Sequence, residues 1–279
     1  MPLIQRRCHR SDEAFAESLR LEAVAELRAW TDPSPLDRVL GAHRPLAKRS
    51  TTIGLDEIGA VIPALLSGSA RLRKAGVDLA THYKVGKVGP LLVGLVGDTE
   101  RSAEVRVAAL GAVVKLKQPE RLELVREALN DPVPELRTVA RQLLAGLEPA
   151  EALPHLKQAL AEGTLREQQG ALAVLGTMRL KASDAVLDAS IGRLVSGEAP
   201  VAIRLDILQA ALKRGNPAMR LAVAKYRALQ KKQGLLARWS DSLEGGTISR
   251  GREIFFGRSA VACRRCHTVK GTGGRVGPD

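Results

Sequence analysis

Aromatic residues, cysteines and long apolar runs are all scarce in this sequence. Aromatics make up 3% of the residues although 45% are hydrophobic, so we expect a folded core built from Ala, Leu and Val. Three cysteines are too few for a small fold held together by disulfides. The densest apolar run, residues 91–96, is much shorter than the roughly 20 residues of a transmembrane helix. We therefore predict no transmembrane segment in this chain.

Acidic residues are also outnumbered, by 43 Lys and Arg to 30 Asp and Glu, which gives a formal net charge of +13. This excess favours anionic partners without choosing among them. Residues 207–240 contain no Asp or Glu, and on a helix Arg220, Arg227 and Lys231 would share one face. That face is either a docking surface for an anion or acidic protein, or the solvated outside of a last repeat. Because the aromatic side chains that bind single-stranded nucleic acid are nearly missing there, we do not expect nucleic acid as a partner.

Sustained alternation of polar and apolar residues is missing from the first 235 positions, so no sheet is expected there. Apolar residues instead recur every three or four positions, which is the helical period. Two such apolar stripes are Phe15, Leu19, Ala23, Leu27 and Trp30, and Val105, Ala109, Ala112, Val113 and Leu116. The pattern predicts an all-α fold.

The helical pattern repeats along the chain. In the repeated pattern an arginine follows Val, Leu or a similar residue, and a small residue usually stands three positions later. The arginine position recurs at 20, 73, 106, 137, 168 (Gln) and 204, mostly 31 to 36 residues apart. In the unit, which resembles a HEAT repeat, proline is expected to open a first helix, as at Pro90, Pro119 and Pro154. We predict a HEAT/ARM-like α-solenoid over residues 1–235, with an insertion at about 31–53. A non-repeating helical bundle is the alternative architecture.

The composition changes after residue 234, where glycines cluster and Phe255-Phe256 appears. We therefore predict a domain boundary between residues 234 and 245. The second segment, 244–279, contains Cys263-Arg264-Arg265-Cys266-His267, the pattern of covalent haem attachment. Two thiols on one helical turn can add to the two vinyl groups of haem, and the next histidine can bind the iron.

Three other interpretations of the cysteine pair are weaker. A redox CxxC pair normally follows a strand, and no strand pattern precedes this one. A zinc site needs a second ligand pair, for which Cys8-His9 is available but more than 250 residues away. The cysteines could also be small buried hydrophobic residues. No role is assigned to Cys8.

The flanking residues strengthen the haem interpretation. Thr247 can cap a helix over residues 248–256, with Gly251 and Phe255 on one face. A glycine-rich loop follows His267 and ends in Gly277-Pro278.

The combination of HEAT-like repeats with Gly-Arg-Glu-Ile-Phe-Phe-Gly (251–257), CxxCH and Gly-Gly-Arg-Val-Gly-Pro-Asp (273–279) resembles the PVC-type haem-binding CxxCH proteins. In that family a cytochrome c domain closes a long chain, often after a β-propeller resembling sugar dehydrogenases. The resemblance implies that Cys263 and Cys266 form thioethers to haem c. It also implies that His267 binds the iron and that the Pro278 carbonyl accepts its Nδ1–H. Residues 244–279 would then be the truncated start of a cytochrome c-like domain.

The function expected from this resemblance is extracytoplasmic, typically periplasmic, electron transfer by a carrier that is not itself an enzyme. Its redox partner would be an upstream dehydrogenase domain or an acceptor cytochrome. Residues 1–8 lack an apolar segment, so they are not expected to be a signal peptide, and we expect the chain to be a fragment cut at both ends. None of Met178, Met219, His82 and His155 is expected to be the distal iron ligand. The alternative function is a helical-repeat scaffold that binds nucleic acid or another polyanion through its basic face.

Overall fold

The computed structural model describes residues 15–36, 40, 42–52, 54–246, 248–258 and 261–278, which are mostly α-helical. This confirms the predicted all-α class. The α-helices of the described residues are α1 Glu17–Ala29, α2 Leu55–Ser67, α3 Ala70–His82, α4 Gly89–Gly97, α5 Ala103–Lys115, α6 Arg121–Ala128, α7 Pro134–Leu147, α8 Pro149–Glu162, α9 Leu165–Leu175, α10 Ala182–Ser196, α11 Arg204–Arg214, α12 Pro217–Lys232 and α13 Ile248–Gly257. Short 3₁₀ turns lie at Gly86–Val88, Val201–Ile203, Leu235–Ser242 and Cys263–Arg265, and two short strands at Thr268–Val269 (β1) and Thr272–Gly273 (β2).

The residues divide into two compact units, 1–155 and 156–279, and the division falls within α8. The boundary predicted between residues 234 and 245 stays a prediction. Among the described residues, no helix has both the length and the apolar character needed to cross a membrane.

In the first unit, helices pack on their neighbours and next neighbours in the chain. The neighbouring pairs are α2 with α3, α4 with α5, and α6 with α7, while α3 and α5 also contact each other, as do α5 and α7. The stripe predicted on α5 is the packed face, since Val105, Ala109, Ala112 and Val113 are buried. This local packing is typical of helical repeats.

In the second unit the same scheme continues, with α9 against α11, α10 against α11 and α12, and α11 against α12. Side chains cap the N-termini of two of these helices. Thr164 and Glu167 form a reciprocal capping box on α9, and Asn216 caps α12 just before Pro217. On α12, Met219, Val223 and Tyr226 are buried.

At four of the repeat positions the arginine donates to a backbone carbonyl in the last turn of the preceding helix or in the loop that follows it. Arg73 Nε donates to Leu66 O at 3.2 Å, Arg106 Nε to Val96 O at 2.9 Å, and Arg204 Nε to Ala199 O at 3.0 Å. Arg137 likewise donates to Asp131 O at 2.8 Å. Leu66 and Val96 lie in the last turns of α2 and α4, where a cation satisfies carbonyls that have no partner within the helix and complements the helix dipole. Ala199 and Asp131 lie in the loops after α10 and α6, which their arginines hold in place. The recurrence of arginine therefore has a structural cause.

Two expectations about the helices are corrected. The stripe on α1 is largely exposed, with Phe15 45% and Leu19 59% accessible, and Val24 is the buried residue. The reason is that α1 is held to α3 near its C-terminal end, where Tyr83 donates to Leu27 O at 2.6 Å. Pro154 lies inside α8 rather than at its start, because Pro149 already occupies the first helical position, where proline costs no hydrogen bond.

Residues 235–246, called here the connecting segment, pack on the last helices of the array. Asp241 is 3% exposed and accepts hydrogen bonds from Tyr226 (3.0 Å) and from Gln230 (2.6 Å). Gly246 O accepts from Gln169 at 3.1 Å. The packed region thus extends past residue 235, where the sequence pattern placed its end.

Candidate functional site

The CxxCH residues lie on a tight turn that begins six positions after the last residue of α13. Cys263–Arg265 form a 3₁₀ turn that contacts α13, and the backbone N–H of His267 donates to Cys263 O at 2.9 Å. Ala262, just before the turn, has the left-handed φ of 48°. The sequence therefore places both cysteines and the histidine on one compact piece of backbone.

Both thiols are free. Cys263 is half-buried and Cys266 is exposed. They are accessible to a reagent or a cofactor, which the interpretation as two buried structural cysteines does not allow. That interpretation is wrong for Cys266.

A hairpin that the sequence reasoning missed brings the loop back to this turn. β1 and β2 pair antiparallel through a two-residue turn in which Lys270 and Gly271 both have positive φ, 50° and 76°. The sequence signal for this hairpin was Gly271 after Lys270, between two short segments that favour strands, because glycine readily adopts the positive φ of such a turn. Beyond β2, the N–H of Gly274 donates to Arg264 O at 2.8 Å, and that of Gly277 donates to Cys266 O at 2.6 Å.

The returning loop orients the imidazole. His267 Nδ1 lies 2.8 Å from Pro278 O. Because a carbonyl oxygen can only accept, Nδ1 carries the proton, and Nε2 is left with its lone pair. The His267 side chain is exposed, so Nε2 is accessible to a metal from solvent. A carbonyl that accepts from Nδ1 fixes the tautomer and the orientation of an imidazole and makes it a better metal ligand.

Glycine is required where the loop passes the CxxCH turn. A Cβ on Gly277 would lie 2.8 Å from Cε1 of His267. A Cβ on Gly274 would overlap the Arg265 carbonyl oxygen, and one on Gly273 would overlap that of His267. The cluster of glycines in this segment thus allows the close approach that the Pro278 hydrogen bond needs.

Helix α13 ends in an aromatic pair beside the turn. It begins at the predicted residue 248 and ends one residue later than predicted; the proposed cap Thr247 lies outside the described residues. Phe255 and Phe256 meet edge to face with centroids 4.9 Å apart. Together with Ala262 and three arginines they line an open cleft of about 370 Å³; the arginines are Arg258, Arg264 and Arg265.

Gly251, which the sequence pattern placed on the same face of α13 as Phe255, has no described contact that explains it. A Cβ on Gly251 would meet open space.

The described side chains between residues 248 and 278 are all at least partly exposed. Ile248 is 94% and Val276 87% accessible, so this segment is organised by backbone hydrogen bonds and not by a hydrophobic core. Segments of this size usually need a metal, disulfide or other external core to hold their structure. Two accessible thiols, an oriented imidazole and uncovered apolar side chains fit a covalently held haem.

No group of three or more His, Cys, Asp or Glu side chains suited to a metal ion occurs within the described parts of the chain. A haem supplies four nitrogen ligands itself, so one protein ligand such as His267 can hold its iron and such a cluster is not required. Cys8 and His9, the second pair of the zinc interpretation, lie outside the described residues.

Of the four residues considered as distal ligands, His82, His155 and Met219 lie on helices, and Met178 lies in the loop between α9 and α10. Met178 and Met219 are buried, at 4% and 0% exposure. His82 Nε2 is 3.0 Å from Thr31 Oγ1, and His155 is half-buried on α8.

No protein-family model matches the chain, and a search of curated proteins also finds no match.

Proposed function

We propose that residues 244–279 are the start of a cytochrome c-like domain that attaches haem c, and that the chain serves extracytoplasmic electron transfer. The observation that carries the proposal is the CxxCH turn with His267 hydrogen-bonded to Pro278 O and both thiols free. The resemblance to PVC-type haem-binding CxxCH proteins agrees with it. In this proposal the helices before residue 235 are a HEAT-like solenoid that acts as scaffold or docking surface.

The residues have distinct tasks. The thiols of Cys263 and Cys266 would hold the haem as its two thioether sulfurs, since addition of S–H across a vinyl group needs no net oxidation. His267 offers Nε2 to the iron, while Pro278 O and the backbone of Gly277 keep its ring in place. When bound, the haem supplies a one-electron Fe(III)/Fe(II) couple.

The chain has the role of an electron carrier and not of an enzyme. The donor and acceptor are proteins, either a dehydrogenase domain or an acceptor cytochrome. Because thioether attachment takes place on the extracytoplasmic side, we place the protein in the periplasm or an equivalent compartment.

Expression with a haem-attachment system tests the proposal. The chain should give a haem-stained band on a denaturing gel, and Cys263→Ala with Cys266→Ala should remove the band. Cys8→Ala is the matched control, because it removes the one cysteine that is not part of the CxxCH motif. A band that survives the double substitution, or no band from the native chain, would refute the proposal.

A polyanion-binding scaffold is the second candidate, and the exposed face of α12 favours it. Arg220, Arg227 and Lys231 are exposed there, on the side of α12 away from the buried Tyr226. In this case haem-free protein should bind an oligonucleotide, and Arg227→Glu with Lys231→Glu should weaken binding at least tenfold. Unchanged binding in that variant would remove this candidate.

A further inference from the structure

The loops that follow α3 and α5 lie side by side in the first unit. The two helices pack on each other, and Gln118 Nε2, in the loop after α5, donates to Gly86 O, in the loop after α3, at 3.3 Å. A Cβ on Gly89 would overlap the Gln118 amide, so the approach is close. Four lysines lie in these loops and at the end of α5, and we call them the edge lysines: Lys84, Lys87, Lys115 and Lys117.

The edge lysines carry charge that the protein does not use. All four are exposed, and within the parts of the chain that the structure describes none of them forms an ion pair. The carboxylates nearby in the chain or in the packing are Glu120 in the second loop and Asp56 and Glu57 on α2, whose helix contacts the first loop. Lys74 on α3, in contrast, pairs with Asp78 at 3.1 Å. The ammonium groups of the edge lysines are therefore available to an external anion.

Two of the edge lysines occupy backbone positions that favour glycine. Lys84 and Lys117 have φ of 56° and 55°. Where α10 and α11 end, the residues with positive φ are Gly197 and Gly215, which adopt this conformation without steric cost. Backbone geometry therefore gives no reason for lysine at 84 and 117.

The helix dipole does not explain these two lysines either. A cation at the C-terminal end of a helix complements the dipole, and the effect is confined to the last turn. The last turns of α3 and α5 already contain basic residues, His82 and Lys115. Lys84 and Lys117 lie beyond those turns, so a contact outside this chain is the better explanation for them.

The basic surface is bounded within the array. Glu148 and Pro149 follow α7, and Glu151 on α8 forms an ion pair with Arg126 at 2.8 Å. The edge lysines thus lie between the acidic first turn of α2 and the acidic start of α8, with packed helices on both sides. A surface of this kind fits a short acidic segment.

We propose that the edge lysines are the docking site for an acidic segment of the electron-transfer partner protein. The identity of this partner rests on the proposed function, whereas the surface itself lies in the helical array and needs no haem. Carboxylates of the partner accept charge-assisted hydrogen bonds from the lysine ammonium groups. The same charges speed the encounter with an acidic surface.

A protein segment fits this surface better than a single-stranded nucleic acid does. Bases stack on free aromatic faces. The aromatic residue of these loops is Tyr83, which is 4% exposed and donates its hydroxyl to Leu27 O at 2.6 Å. The surface therefore offers positive charge without a stacking platform, which suits carboxylates.

A labelled peptide of ten glutamates is the probe, and fluorescence anisotropy measures its binding to the full chain. Lys84→Gly with Lys117→Gly removes two charges and relieves the backbone, so affinity should fall at least fivefold while the urea midpoint stays or rises. Unchanged affinity with a lower urea midpoint would show that these lysines are structural and overturn the proposal.

A second variant and a matched control locate the binding. Lys87→Gln with Lys115→Gln, which leaves both positive-φ positions unchanged, should also weaken binding at least fivefold. Arg227→Gln with Lys231→Gln on α12 removes the same charge and should alter affinity less than twofold. The proposal is overturned if the α12 variant loses binding while both variants of the edge lysines keep it.

Two further comparisons separate the partner classes and the role of haem. An oligothymidine of equal charge that binds more tightly than the peptide through the edge lysines would overturn the proposal. The chain with attached haem and the Cys263→Ala, Cys266→Ala variant should bind the peptide equally, and binding that requires haem would contradict docking on the array. Binding through the edge lysines in a native chain that never takes up haem would support the surface and separately refute the proposed function.

Discussion

At the scale of single residues, Gly277 is the tightest point of the candidate site. Gly277→Ala should push the His267 ring away from Pro278 O, because the new Cβ would lie 2.8 Å from Cε1. We expect the yield of covalent haem to fall several-fold in the haem-stain assay. Gly257→Ala is the matched control, since that helical glycine has nothing within 4 Å of a Cβ. Equal haem yields in the two variants would show that the His267–Pro278 contact is dispensable.

The ionisation of Asp131 should make the stability of the chain depend on pH. Burial raises the pKa of this carboxyl, but hydrogen bonds from Arg106 and from the N–H of Val133 outweigh burial and hold its pKa below the ordinary value. The stability it contributes is thus present above pH about 4, the pKa of an unfolded aspartate, and is lost as pH falls through the lower folded pKa.

Urea unfolding between pH 6 and 2 measures this effect. Asp131→Asn should lower the free energy of unfolding by about 3 kcal/mol at pH 6, because it leaves Arg106, 5% exposed, without its ionic partner. The gap to the native chain should close toward pH 2. A gap that is independent of pH would contradict a charged Asp131.

The residues of the candidate site were predictable to different degrees. Cys263, Cys266 and His267 follow from their spacing, because that spacing is what the attachment chemistry needs. The His267–Pro278 contact came from the family resemblance, since it depends on a loop that closes over ten residues. The cleft arginines had no sequence signal, because an arginine that lines a cleft looks the same in sequence as one that bonds to the end of a helix.

At the scale of elements, the connecting segment is held by a buried carboxylate. Burial and the hydrogen bond to Asp241 raise the pKa of Tyr226 to about 12. Tyr226→Phe should destabilise the chain by about 2 kcal/mol, because Asp241 loses a donor in a buried place. The Tyr226–Asp241 hydrogen bond should stabilise the native chain fully below pH about 10, and this stabilisation should be lost as the pH rises through 12.

Urea unfolding at pH 7 checks the Tyr226 prediction. Leu236→Ala is its control, since Leu236 lies in the same segment, is 82% exposed and should change stability by less than about 0.5 kcal/mol. Equal effects of the two substitutions would show that Asp241 does not hold the segment.

Periodicity predicted the buried face of a helix that packs between neighbouring helices and failed for a helix that is held near one end. The α5 stripe is buried as expected, since a helix between two neighbours must cover its apolar face. The α1 stripe is exposed because α1 is held near its C-terminal end. Asp241 was not predictable, since an aspartate in a polar stretch normally faces water.

At the scale of the whole molecule, two truncations test where the helical array ends. A chain of residues 1–246 should keep the helical circular dichroism and the urea midpoint of the full chain, because its connecting segment stays complete. A chain of residues 1–234 should be less stable, since it lacks Asp241 and the carbonyl of Gly246. Wholesale loss of helix in the longer truncation would show one integrated domain and contradict the predicted boundary.

The central claim is that the CxxCH turn carries one covalent haem. Intact-mass spectrometry of the chain expressed with a haem-attachment system tests it most directly. The account predicts a mass increase of one haem per chain, located by peptide mapping on the peptide that contains Cys263 and Cys266. A chain of unmodified mass, or a haem mapped to another peptide, would contradict it.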